Sequence, residues 1–263
     1  MKGAVGVKKA VLGRRIRVWA VRSMATCRKS RMRSLVPVLA IAAGLVVMFP
    51  AKQTSAVGKC RQDAGPSVDW SDCKKRMLML DGSNFDGANL AGADFSMTDL
   101  GRSSMKGANV TKAGLVRTSL AQSDLTGADF DKAEGYRSDF TAVKASGASF
   151  IAAELQRGNF SSADLRNADF TKAELGRAIF YRATFDKTQF AMANLSRALF
   201  HNASFAGPVD FSEAFMFLTR IEGVDLSRAT GLKQDQIALS CGDETTKLPQ
   251  GLTVPSNWPC PDE

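Results

Sequence analysis

The sequence predicts an all-β solenoid with a square cross-section, and three observations support this. From Leu80 to Phe205 every fifth residue is large and apolar in 24 of 26 cases, and the residue two places before it is Ala, Ser, Thr or Gly in 24 of 26. None of the 52 positions defined in this way carries a charge. Two inward side chains in every five residues match neither the helical period nor the strand period, so we expect the chain to wind around a closed core.

Solvent-facing residues indicate how many five-residue units make one coil. Two sets recur at intervals of twenty: Arg117, Arg137, Arg157, Arg177 and Arg197, and Glu134, Glu154 and Glu174. Twenty residues are four units, which predicts a coil with four sides. Stacked backbones lie about 4.8 Å apart, so roughly thirty units would build about seven to eight coils and a rod roughly 35 Å long.

The pattern contains the segments A-N-L-A-G, A-D-F-S-M, A-E-L-Q-R and A-D-L-R-N, which begin at Ala88, Ala93, Ala153 and Ala163. These segments resemble the motif of the pentapeptide-repeat family, and the resemblance covers roughly residues 77–228. It implies a right-handed quadrilateral β-helix. The resemblance also implies that Asp is an ordinary residue just before the large inward position, where this chain has Asp94, Asp99, Asp124, Asp129, Asp139, Asp164 and Asp169.

The N-terminal segment, residues 1–56, is predicted to be a signal peptide. Residues Leu35–Phe49 form an apolar run of fifteen residues, which is short for a membrane span and typical of a secretory signal. Basic residues precede this run, and Thr54-Ser55-Ala56 follows it as a cleavage site. Residues 1–23 are interpreted as an extension or a miscalled start. A cleaved signal leaves no membrane span in the mature chain. The alternative is an uncleaved anchor, and in either case we expect a periplasmic or extracellular location for the rest of the chain.

Three further segments follow the predicted signal. Residues 57–76, with Trp70 and Cys73, are predicted to cap the N-terminal end of the rod, because open sheet edges must be covered. Residues 77–228 are predicted to form the β-helix, and the sequence pattern shifts by one residue at Gly207-Pro208. Residues 229–263 are predicted to form a C-terminal capping helix, within K-Q-D-Q-I-A-L-S, and a Pro-rich strap.

Cysteine usage agrees with export. Once Cys27 is removed with the signal, four cysteines remain, and three pairings are formally possible. Because the rod separates the two close pairs, we expect disulfides Cys60–Cys73 and Cys241–Cys260. Four free thiols in a reducing compartment are the alternative. We expect no cysteine metal site, since four ligands would have to meet in one place.

Charge and motifs exclude several function classes. Residues 1–56 hold twelve Lys or Arg and no acid, whereas residues 57–263 hold 23 basic and 26 acidic side chains, a net charge of −3. The total of +9 therefore does not indicate nucleic-acid binding. We identify no catalytic, cofactor or metal motif, and His201 is the one histidine. The protein is predicted to be a non-enzymatic structural or interaction module that needs no cofactor.

The candidate partner site is the Arg column, Arg117, Arg137, Arg157, Arg177 and Arg197. It either forms a salt-bridge lattice with Glu134, Glu154 and Glu174, or docks an unknown anionic partner such as an envelope polymer or an acidic protein face. The positive electrostatic potential of the Arg column is increased by three lysines on the adjoining side, Lys112, Lys132 and Lys172.

A second candidate surface is apolar, with Ile179, Leu199, Phe215, Phe217 and Leu218. We expect the strap to cover it in a monomer, and the alternative is a C-terminal-end homodimer.

The family resemblance also suggests a different function. Some relatives are DNA mimics that protect gyrase from quinolones through a strongly acidic surface. Residues 77–228 hold 18 acids against 16 bases, and this near balance opposes DNA mimicry here.

Overall fold

The computed structural model describes residues 59–261, and in this range the chain forms a right-handed quadrilateral β-helix, as the sequence predicts. Parallel bridges join residues twenty apart, beginning with Asp69 to Asn89. The signal peptide and the extension predicted for residues 1–56 lie outside the described residues. Within residues 59–261, two short strands, β1 (Thr184–Phe185) and β2 (Ser204–Phe205), pair in parallel, and one helix, α1, spans Gln234–Leu239.

Each side of the coil is a short extended stretch followed by a corner. At a typical corner the backbone N–H of Thr118 donates to the carbonyl of Leu115 at 3.0 Å. The residue at the second corner position adopts a positive φ, as in Arg117 at 55°. Between coils, the Leu115 N–H donates to the Glu134 carbonyl at 2.7 Å. These two sets of hydrogen bonds satisfy the backbone without long strands.

Stacked phenylalanine rings fill the interior. Phe140 and Phe160, twenty residues apart, have ring centroids 4.6 Å apart and an interplanar angle of 3°. Phe150 and Phe160 come from opposite walls and meet edge to face at 6.0 Å and 89°. Small residues at the other inward position allow the walls to approach closely, so the column has a continuous apolar core.

The one-residue slip appears as a change in bridge spacing. Gln189 bridges Asp210, twenty-one residues later, as the sequence indicates. Gly207 lies at the insertion, and a β-carbon there would stand 1.8 Å from Asp186 Oδ1, so any other residue would displace the Asp186 carboxylate. The coil that contains Gly207 therefore has one additional residue, and the next bridge on this wall, from Asp210 to Thr230, again spans twenty residues.

The coil extends further at both ends than the sequence pattern shows. The wall that starts at Asp69 has nine levels within the described residues and ends at Thr230, and on another wall the last bridge joins Asp225 to Lys247. At the N-terminal end the pattern is hidden because Lys75 occupies a large inward position. Its ammonium lies 3.4 Å from the Trp70 ring centroid and donates to the Cys60 carbonyl at 2.8 Å.

Helix α1 forms one side of the last level and covers the end of the core. Ile237 is fully buried, and Gln236 Nε2 donates to the carbonyls of Phe211 and Ala214 at 2.9 Å each. After the helix the strap returns, and Trp258 Nε1 donates to the Ser240 carbonyl at 2.8 Å. The structure therefore contains the predicted short helix and strap.

Both predicted disulfides are present, Cys60–Cys73 at one end and Cys241–Cys260 at the other. They tie the terminal segments to the first and last levels of the rod. In the described range, no helix has the length and apolar character that crossing a membrane requires.

Candidate Arg-lined groove

The five arginines of the predicted column lie on one corner of the rod. Their neighbours Glu134, Glu154 and Glu174 are joined by successive parallel bridges, which fixes the stacking of this wall. The backbone N–H of Arg137 donates to the carbonyl of Gln156 at 3.0 Å, and Gln156 directly precedes Arg157 in the chain. Residues twenty apart therefore lie one level above the other, and we call Arg117, Arg137, Arg157, Arg177 and Arg197 the Arg ladder.

A shallow groove runs along this corner, and we call it the Arg groove. Its volume is about 670 Å³, and its lining consists of four ladder members and two apolar residues of the next wall: Arg137, Arg157, Arg177, Arg197, Ile179 and Leu199. The two apolar residues follow Arg177 and Arg197 by two positions, so these two levels place a cation beside an aliphatic side chain. At the levels of Arg137 and Arg157 the same position holds Asp139 and Asn159. The Arg ladder and the apolar residues, which the sequence presents as separate candidates, belong to one surface.

The groove leads into a second cavity at the C-terminal end, the end pocket. It measures about 660 Å³ and shares Arg197 and Leu199 with the groove; its other lining residues are Leu218, Arg220, Cys241, Asn257, Cys260 and Pro261. Leu218 and Arg220 continue the columns of Arg197 and Leu199 with a spacing of twenty-one because of the slip. The strap closes this end, so the groove is open at one end and blocked at the other.

The Glu column does not neutralise the ladder by direct ion pairs. Within residues 59–261, the ion pairs within 4.0 Å do not join Glu134, Glu154 or Glu174 to the ladder. Glu174 instead accepts a hydrogen bond from Asn194 Nδ2 at 2.8 Å. The predicted salt-bridge lattice between these columns is therefore not formed.

Ladder arginines occupy a backbone position that does not favour them. Their φ angles lie between 55° and 59°, the left-handed region, which costs roughly 1–2 kcal/mol for a residue with a side chain. The equivalent corner of another wall carries glycine, at Gly87, Gly107, Gly127 and Gly147. Because glycine satisfies the corner, the backbone does not demand arginine there. The backbone therefore tolerates arginine at this corner, as it tolerates other side chains at other corners, without requiring it.

The apolar residues beyond the slip are only partly covered. Leu218 lies against the end pocket with Pro261, as the strap prediction requires. Phe215 and Phe217, however, remain 51% and 42% exposed, with ring centroids 6.3 Å apart. The expectation that the strap covers them is wrong, because the strap packs on the Leu218 side of this wall. A C-terminal-end homodimer through this pair stays a prediction, and light scattering on the purified chain measures it.

The aspartates before the large inward positions stabilise corners. Asp164 Oδ1 accepts from the backbone N–H of Arg166, and the Arg166 side chain, bonded to the same carboxylate, lowers the pKa of Asp164. Burial raises the pKa of Asp129, and the nearby Asp131 carboxylate adds to this. No cluster that could hold a metal ion is found in the range 59–261. These carboxylates act as turn acceptors.

Three features of the site are not predicted by the sequence pattern. The joining of the ladder to Ile179 and Leu199, the left-handed corner, and the end pocket all depend on which side of the coil each residue occupies. The sequence does hold one usable signal for the pocket. Counting twenty-one residues across Gly207-Pro208 would have placed Leu218 after Arg197.

Comparison with known proteins identifies the class of this repeat. The family model for the pentapeptide repeat region matches residues 115–190, and the model for pentapeptide repeats in eight copies matches residues 79–107. Residues 79–107 and 115–190 therefore consist of pentapeptide repeats. No curated protein matches it in sequence.

Several solved structures are similar to the chain. HetL, a pentapeptide repeat protein involved in heterocyst differentiation regulation in Nostoc sp. strain PCC 7120, is 19% identical, with 78% of this chain and 90% of HetL covered and a TM-score of 0.29. QnrB1, a plasmid-mediated fluoroquinolone resistance protein, is 19% identical, with 72% and 92% covered and a TM-score of 0.37. A pentapeptide repeat protein of the Arabidopsis thaliana thylakoid lumen is 24% identical, with 52% and 76% covered and a TM-score of 0.22.

Proposed function

We propose that this protein is a non-enzymatic, exported interaction module that docks an anionic partner of the cell envelope on the Arg ladder. The observation that carries the proposal is a stack of guanidinium groups without carboxylate partners in the described range at Arg117, Arg137, Arg157 and Arg177. Adjacent levels are about 4.8 Å apart, so neighbouring cations repel by roughly 1 kcal/mol in a water-like dielectric. An anionic ligand would remove this repulsion.

Export is part of the proposal and is supported by the leader-like residues 1–56 and by the two cysteine pairs. Disulfides persist in oxidising compartments. N-terminal sequencing of the secreted protein should give a chain that begins near Val57. A chain that retains residues 1–56 in the cytoplasm would contradict this part.

The binding test compares two triple substitutions with the same change of charge. Arg137, Arg157 and Arg177 are changed together to Gln, and the control changes Lys112, Lys132 and Lys172 to Gln at the same left-handed corner position of the adjoining wall. The probe is fluorescein-labelled poly-L-glutamate. We expect the Arg variant to bind about tenfold or more weakly and the Lys control to bind nearly as the parent does.

Salt provides the second measurement. Exposed ion pairs are screened, so binding should weaken steeply as NaCl rises from about 0.05 M to about 0.5 M. Binding that is indifferent to salt, or equal losses in both triple variants, would contradict docking on the ladder. The gyrase alternative is tested separately, by a supercoiling assay with a quinolone, in which we expect no protection.

A further inference from the structure

We propose that the Arg groove recognises an acidic amphipathic α-helix of a partner protein, laid along the rod with its apolar stripe on Ile179 and Leu199. This inference rests on the proposed function and specifies the partner. It depends on three features of the groove, namely its spacing, its two chemical sides and its blocked end.

The spacing distinguishes a helix from an extended chain. Ladder members repeat every level, about 4.8 Å. In an α-helix parallel to the rod, side chains on one face repeat about every 5.4 Å, which is one turn. In a β-strand, side chains on one face repeat about every 6.6 Å, which is two residues. Arg137 and Arg197 are three levels apart. Over three repeats, the side chains of a helix shift relative to the arginines by roughly 2 Å, and those of a strand shift by roughly 5 Å. Flexible arginine side chains can absorb the smaller difference.

The two sides of the groove match the two faces of such a helix over the last two levels. There Arg177 and Arg197 stand on one side, and Ile179 and Leu199 stand on the other, with Leu199 38% exposed. A helix with Glu or Asp at intervals of three or four residues and aliphatic residues beside them presents these chemistries in the same order. Burying the aliphatic stripe adds an apolar contribution that a purely charged polymer lacks.

The blocked end gives the helix a stop. Beyond Leu199 the groove opens into the end pocket, which has Leu218 and Pro261 in its lining and Arg197 and Arg220 at its sides. The pocket, about 660 Å³, has room for one large apolar side chain at the end of the docked helix. Because the Cys241–Cys260 disulfide holds the strap, this wall is fixed in place.

The test uses the full chain and three labelled probes in fluorescence anisotropy. The first probe is a 20-residue peptide with Glu along one edge and Leu along the neighbouring stripe, about 30 Å long as a helix. The second has the same composition in scrambled order, and the third is polygalacturonate. We expect the patterned peptide to bind about tenfold more tightly than the scrambled one and to gain helical circular dichroism on binding.

Variants separate the inference from the proposed function. The Arg-to-Gln triple variant should weaken all anionic probes. Leu199→Ser should weaken the patterned peptide about threefold or more and leave poly-L-glutamate unchanged, whereas Met192→Ser, a control at an exposed residue outside the groove lining, should change neither. Equal binding of patterned and scrambled peptides, or tighter binding of polygalacturonate, would overturn the helix while leaving the Arg ladder as a docking site. Indifference of every probe to the Arg changes would overturn both.

Discussion

Leu155 fills the space above Gly135, since its Cδ2 atom lies 2.6 Å from the point where a β-carbon on Gly135 would stand. Gly135 is one of the two positions between Leu80 and Phe205 where the fifth residue is not large and apolar. In the structure the level above supplies the missing volume, and Ser138 Oγ donates to the Gly135 carbonyl at 2.7 Å.

This relationship gives the first prediction. Gly135→Ala places a methyl group against Leu155 in a closed core and should lower the free energy of unfolding by about 1–3 kcal/mol, measured by urea denaturation. Gly176→Ala is the control, because a β-carbon there would meet Ser196 Oγ at 3.4 Å, an ordinary contact. Equal effects at the two positions would show that Leu155 does not fill the space.

The phenylalanine columns give the second prediction. Phe160 is fully buried and its ring lies 4.6 Å from Phe140 and 5.2 Å from Phe180. Phe160→Ala should destabilise the rod by about 3–5 kcal/mol, because it removes the ring and leaves a cavity. Phe215→Ala, at a ring that is 51% exposed, should change stability by about 0.5 kcal/mol or less. Thermal unfolding of the two variants checks the difference.

The C-terminal disulfide gives the third prediction. Cys241 and Cys260 are nineteen residues apart, and closing such a loop contributes about 3 kcal/mol in the chain-entropy model. The double variant Cys241→Ser and Cys260→Ser should therefore unfold at a lower temperature. It should also expose the last level first, seen as faster amide exchange in residues 230–247 than at Phe160. Uniform exchange along the rod would contradict a local role for the bond.

The fourth prediction concerns acid stability. The Ser227 hydroxyl and then the Lys247 ammonium lower the pKa of Asp225 to about 2, with donor distances to its carboxylate oxygens of 2.6 Å and 3.0 Å. A lowered pKa in the folded state means that the contribution is complete above the ordinary value of 3.8 and is lost as the pH falls towards about 2. Because both side chains are largely exposed, this contribution should be below about 1 kcal/mol.

Asp225→Asn measures this effect. The stability difference between the parent and the variant should be present at about pH 6 and should shrink towards about pH 2. A difference that stays constant over this interval would mean that the carboxylate charge does not stabilise the last level.

Much of the fold is local information repeated many times, and this is why the sequence predicts it. Each unit of five residues carries its own inward pair, as Ala153 and Leu155 show, and the recurrence of Arg at twenty sets the number of sides. The family models confirm the repeat, and the bridges confirm the stacking. Lys75 shows the limit, because its inward position is compatible with the coil only through contacts with Trp70 and Cys60 that the local pattern does not encode.

The sequence by itself determined the coil, its register and the Arg column, since these follow from a period that any single unit displays. Tertiary structure alone decided that the Arg ladder borders Ile179 and Leu199, that its carboxylate neighbours lie out of ion-pairing reach, and that the strap closes one end. The physical reason is that a groove is formed between walls. Its shape depends on the corner angles and on the place where the chain returns, and neither is a property of the repeated unit.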